Sequence, residues 1–112
     1  MIRETKFGGK KNDWAEAINK TKDGGYILAG FTNSEDLDQS TGRFNGDAWI
    51  AKLDFSGTKV WERIFKESYE DHLYKVVENR YGFIYACGTS FVEGKGFQFW
   101  LVKLDALGKP LV

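Results

Sequence analysis

The sequence predicts an all-β chain built from two copies of one four-stranded antiparallel unit. Three observations lead there. The stretches "DAWIAKLDFSG" and "QFWLVKLDALG" align without a gap, so that Trp49 falls on Trp100, 51 residues on. Thirteen glycines stand beside a single proline, and 16% of the residues are aromatic, a mix suited to short strands joined by glycine turns. No segment keeps a helical period apart from a weak one in "DWAEAINK", which fits alternation equally well.

The elements follow in order from the repeat. "RETKFGGKKNDWAEAI" matches "WERIFKESYEDHLYKV" at an offset of 58, which sets Phe7 on Phe65, Asp13 on Asp71 and Ile18 on Val76. "GGYILAGFT" then aligns with "YGFIYACGTS" when one residue is inserted, and the Trp-x-x-Lys-Leu-Asp segments come next. The chain thus divides into two units of roughly 55 residues, 1–60 and 61–112. In the first unit the strands are expected at residues 14–21, 26–32, 48–53 and 58–65. Between them "KDGG", and after the third strand "DFSG" with its counterpart "DALG", carry hairpin chemistry. Asp54 and Asp105 should accept from the backbone two residues on, while Gly57 and Gly108 take the left-handed position.

The face pattern says how the sheets pack. In the third strand Trp49, Ala51 and Leu53 point one way and Ala48 and Ile50 the other; in its copy Trp100, Val102 and Leu104 oppose Phe99 and Leu101. A sheet with one wet face alternates apolar with polar. These strands are apolar on both sides, so each sheet is expected to be covered above and below. Four-stranded antiparallel sheets stacked face to face in this way are the blades of a β-propeller.

The run "DGGYILAGFTNS … GDAWIAKLDFSGTKVWERIF … YED" resembles the tandem repeat of bacterial surface and secreted β-propeller proteins, including sorting-domain proteins and lipoproteins. The likeness covers essentially the whole chain. The second copy departs from it where "NRYGFIYACG" replaces the Asp-Gly-Gly-Tyr turn. A weaker likeness exists to the repeat of quinoprotein propellers. The main resemblance implies a secreted or cell-surface setting; a cytoplasmic one is the alternative, since "MIRETKFGGKKND" has no apolar h-region.

Propellers close with four to eight blades, and two blades alone would leave aromatic faces bare. Either the chain is cut from a longer array or several copies share a ring. The fourth strand of the second unit begins at "GKPLV", and "IRETKF" matches its end, so joining the ends of two copies would complete it. Head-to-tail contacts of that kind close into rings. Three copies would give six blades and four copies eight, and three is the preferred count.

Most repeated residues read as structure. Trp49 and Trp100 are expected to pack between blades, and Lys52 and Lys103 to lie along apolar surface. Cys87 sits in an apolar strand as a small hydrophobe, and as the one cysteine it excludes an internal disulfide or a cysteine zinc site. Trp14 and His72, the only histidine, occupy matched positions at one face of the ring; with Arg43 they are the candidate ligand contacts. The long loop at residues 32–47 places Asp36, Asp38 and Ser40 like the first three ligands of a calcium loop, with Asp47 twelfth. Thr41 stands where that loop needs glycine, so the segment either wraps calcium or is a set of hydrogen-bonded turns.

Sixteen basic residues balance sixteen acidic ones without a basic run, which argues against nucleic acid as a partner. The apolar residues come in pieces too short to span a membrane. The expected function is therefore a non-enzymatic binding or scaffold module, probing protein or glycan after self-assembly into a trimer or tetramer. A propeller enzyme, quinoprotein-like or hydrolytic, is the alternative; it would need a cofactor-lined channel or a clustered acid and base. No cofactor is expected beyond the possible calcium ion.

Overall fold

A computed structural model describes residues 13–32, 47–65 and 71–111. Every regular element among them is a strand: β1 (Asp13–Lys20), β2 (Tyr26–Thr32), β3 (Asp47–Leu53), β4 (Lys59–Phe65), β5 (Asp71–Glu78), β6 (Ile84–Val92) and β7 (Gly96–Leu104). They form two antiparallel sheets, one ordered β1-β2-β3-β4 and the other β5-β6-β7. The four strands expected in the first unit are all present, and "DWAEAINK" is a strand.

The turns make meandering hairpins because a local acceptor satisfies the backbone. Asp54 Oδ1 accepts from the amides of Ser56 and Thr58, each at 2.9 Å, and Asp105 Oδ1 accepts from those of Leu107 and Lys109 at the same distance. Gly57 and Gly108 close these turns at φ of 90° and 82°, as the Asp-x-x-Gly reading required. "NRYG" keeps the same turn despite its different letters. Asn79 Oδ1 replaces the carboxylate, accepting from Tyr81 at 2.9 Å and Phe83 at 3.0 Å. In the first unit the turn starts one residue before "KDGG": Gly24 donates to the Thr21 carbonyl at 3.1 Å.

Register carries the internal repeat further than the letters do. β1 is bulged against β2 between Ala15 and Ala17, and β5 against β6 between Leu73 and Lys75. Gly30 and Gly88 lie beside these bulges. A Cβ on either would stand 1.9 Å from the carbonyl oxygen of Trp14 or His72 respectively. The pairs Trp14–Phe31 and His72–Thr89 differ by 58 on both strands, so the second copy needs no inserted residue here.

The second sheet differs from the expected four strands. Among the described residues it has three, with a fourth represented by the Leu104–Pro110 bridge and by Leu111 donating to the Lys103 carbonyl at 2.8 Å. Proline has no amide proton to extend the ladder, and the matching residues 3–7 lie outside the described residues.

The sheets stack face to face over one core. Ile27, Ala29, Ala48, Ile50 and Phe65 of the first meet Leu73, Val76, Ile84, Ala86, Val102 and Leu104 of the second. Phe65 sets its ring edge-on to Trp100 at 5.6 Å, and Trp61 Nε1 and Arg63 Nε donate to the carbonyls of Ala106 and Gly108. At the opposite margin Asn19 Nδ2 donates to the Val76 carbonyl at 3.4 Å, and the Lys22 amide to Glu78 Oε1 at 2.7 Å. β3 is buried at all seven positions, which is the two-sided coverage expected of it. β7 departs from that expectation. Its Val102 and Leu104 are buried, but Phe97, Phe99 and Leu101 on the other face are exposed, because the first sheet covers only one side of the second.

Candidate interaction surfaces

Two surfaces combine unusual geometry with exposure. The first lies at the end of the sheets where β1 and β5 begin. Trp14 stacks on Phe31 with ring centroids 4.8 Å apart and planes 26° from parallel. Phe31 in turn stacks on His72 at 4.2 Å and 15°. His72 meets Tyr74 edge-on at 5.9 Å, and its Nδ1 lies 2.9 Å from the tyrosine hydroxyl. Four rings thus run as one column across the seam between the sheets. Its ends are the open ones, with Trp14 42% and Tyr74 40% exposed. Trp14 and His72, expected at one face of the ring, both stack on Phe31, a residue that sequence reasoning missed. The signal was available: at the offset of 58, Phe31 falls on Thr89, an aromatic residue without an aromatic counterpart.

The same end holds two buried carboxyl groups. Asp47 opens β3 and Asp71 opens β5, and both are buried. Burial first, and the Asp71 charge second, push the Asp47 carboxyl up from 3.8 to about 6. Ser90 Oγ donates to Asp71 Oδ1 at 2.6 Å. Of the four residues proposed to hold calcium, Asp47 is therefore placed where it keeps a proton at mildly acidic pH. Asp36, Asp38 and Ser40, together with Arg43, lie outside the described residues. Among the described residues no three His, Cys, Asp or Glu side chains gather as a metal-holding group.

Of the repeated residues expected to be structural, Asp54, Gly57, Asp105 and Gly108 form the turns described above. Trp49 is buried and its indole Nε1 donates to Glu62 Oε2 at 3.0 Å. Trp100 is half-buried against Phe65. Lys52 is buried rather than lying along the surface: its ammonium donates to Asp23 Oδ2 at 3.1 Å and to the Leu53 carbonyl at 3.0 Å. Hydrogen bonds from Thr21, then Lys52 and the Gly25 amide, hold the Asp23 carboxyl down at about 2. Asp54 is likewise lowered, by Ser56 and the Thr58 amide. Lys103, the copy of Lys52, is exposed and sets its ammonium 4.9 Å from the Phe83 ring centroid.

The second surface is the outer face of the β5-β6-β7 sheet. Phe99 is 77% exposed and Leu101 57%. Their counterparts 51 residues earlier, Ala48 and Ile50, are fully buried because the second sheet covers them. On the same outer face Lys75, Val77, Tyr85, Cys87 and Leu101 line an apolar groove. The first sheet shows the complementary deficit. Ile18 is 63% exposed, whereas its counterpart Val76, pressed against the first sheet, is 5% exposed. Phe99, Leu101 and Ile18 are thus bare at positions that their repeat partners Ala48, Ile50 and Val76 bury in the internal interface. Among the described residues no helix is long and apolar enough to cross a membrane. No protein-family model matches the chain, and no curated protein matches it.

Proposed function

We propose that the chain is a non-enzymatic binding and scaffold module made of two β-propeller blades, and that copies assemble head to tail into a closed ring. The observation that carries this is the exposure of Phe99 and Leu101 at positions where Ala48 and Ile50 are covered by a neighbouring sheet. The internal interface supplies a template: one face of the first sheet packs on the opposite face of the second. Repeating that step with another copy would cover the outer face of the second sheet and the exposed Ile18 together. A contact of that kind is heterologous, and it ends only when the ring closes. Three copies, giving six blades, is the preferred closure. If the two blades instead belong to a longer array, the next blade in that array takes the same position.

Light scattering on the purified chain tests self-assembly, with a trimer or tetramer expected. A stable, soluble monomer at tens of micromolar concentration refutes it. The ring would present its ligand contacts at the aromatic column and the neighbouring loop at residues 32–47. The exposed faces of Trp14 and Tyr74 favour a glycan, whose apolar sugar face stacks on such rings; a blank glycan array turns the choice to a protein ligand. The setting proposed for this module is the cell surface or the extracellular space.

A further inference from the structure

We infer that a second copy of this chain adds its residues 3–7 as the missing fourth strand on the open edge of β7. The inference rests on the head-to-tail reading above and deepens it, by naming the segment that crosses between copies and the register it takes. The first observation is the edge itself. On its side away from β6, β7 is paired among the described residues only at Leu104 and Lys103, through Pro110 and Leu111. No described residue pairs with the stretch from Phe99 to Val102 on that side, and a strand edge of that kind is a template for another strand. Phe65, Trp100, Leu101, Pro110 and Leu111 line a groove along it.

The register follows from the first sheet. There β3 pairs with β4 as Lys52–Trp61, Ala51–Glu62, Ile50–Arg63, Trp49–Ile64 and Ala48–Phe65. Moving β3 by 51 and β4 back by 58 gives Lys103–Arg3, Val102–Glu4, Leu101–Thr5, Trp100–Lys6 and Phe99–Phe7. One side chain reports on this placement. Trp49 Nε1 donates to Glu62 Oε2 at 3.0 Å, and Glu4 is the only acid in residues 3–7, standing where Glu62 stands. The Trp100 indole, half-buried, has no acceptor among the described residues. A neighbouring copy's Glu4 would provide one.

Chain length selects another copy over the chain's own N-terminus. Residues 66–70 carry the chain from the end of β4 to the start of β5, in the sheet stacked on the core-facing side of the first. Residues 8–12, equal in number, lie between Phe7 and Asp13. The same step taken backwards from β1 leads to a sheet on the opposite side of the first one, where the chain's own second sheet does not lie. Five residues reach about 20 Å at most, too little to pass around the first sheet and back.

The experiment is a disulfide trap on the full chain with Cys87→Ala, the residue that Ala29 models in the first sheet. Thr5→Cys and Leu101→Cys are introduced together and oxidised under native conditions. The expected result is loss of the monomer band on a non-reducing gel in favour of covalent multimers. An intrachain bond, leaving a monomer, overturns the exchange between copies. No bond, with scattering still giving an oligomer, overturns the strand placement and leaves the ring reading intact. No bond with a monomer by scattering removes both. Should the double variant fail to fold, Glu4→Ala in the otherwise unaltered chain gives a second readout. It should weaken association about tenfold, through loss of a charge-assisted hydrogen bond. An unchanged dissociation constant overturns the placement.

Discussion

Asp47→Asn should stabilise the protein at neutral pH and leave it nearly unchanged at pH 4. In the folded state burial and the Asp71 charge raise the Asp47 carboxyl from 3.8 to about 6. The folded chain therefore holds a proton at this site that the unfolded chain releases between these two values. Stability falls as pH rises through that window, because the folded state binds the extra proton. Above pH 6 the folded protein carries a charge it is poorly built to hold. A shift of about two units at 1.36 kcal/mol each sets an upper bound of roughly 3 kcal/mol. The site opens a strand at the end of the sheet, so solvent screening should reduce the gain to about 1–2 kcal/mol. Asparagine keeps the shape and cannot ionise. Urea unfolding of both proteins at pH 4, 5, 6 and 7.5, at one fixed protein concentration, reads the effect directly. The two curves should meet at pH 4 and separate by pH 7.5, with the variant higher. A constant gap across the series, or a variant less stable at pH 7.5, refutes the reasoning.

Other substitutions probe different parts of the architecture. Gly30→Ala drives a Cβ to within 1.9 Å of the Trp14 carbonyl oxygen, so it should cost about 3 kcal/mol or more in thermal or urea unfolding. Gly108→Ala meets both a φ of +82° and the Trp61 ring at 2.8 Å, whereas Gly94→Ala meets a φ of +86° with nothing within 4 Å. The first should cost about 2–4 kcal/mol and the second about 1–2 kcal/mol, and equal losses would remove the Trp61 contact from the account. Leu101→Lys alters an exposed position, so the folded unit should keep its stability within about 0.5 kcal/mol. If copies assemble as proposed, light scattering should nevertheless show the oligomer lost, because a lysine would be buried unpaired at the interface between them.

The strands of the first unit were legible because alternation, aromatic content and Asp-x-x-Gly punctuation all agreed there. The second unit was harder at two points. "NRYG" hid a turn with the hydrogen bonding of the Asp54 turn, since Asn79 performs with an amide oxygen what Asp54 performs with a carboxylate. Phe99 and Leu101 read as core by pattern alone; whether an apolar face is covered depends on what stacks on it, which composition does not record. The candidate site was legible in part. Matched positions singled out Trp14 and His72, but the ring between them came from Phe31, whose one mark in the sequence is that it aligns with Thr89 rather than with another aromatic residue. The Asp47 carboxyl is raised first by burial and second by the charge of Asp71, and the sequence shows neither the burial nor the approach of so distant a residue.

The hairpin turns also set the order in which the molecule can assemble. Each turn satisfies its own amides within four residues, so a hairpin needs no help from the rest of the chain to begin forming. Such events take about 1–10 μs. The seam is another matter: Asn19 reaches Val76 across 57 residues, Lys22 reaches Glu78 across 56 and Trp61 reaches Ala106 across 45. Closing those spans is the slow, non-local part of the reaction. Docking of the two meanders is thus the step expected to limit folding of one chain, and the ring proposed above would use the same docking step between chains.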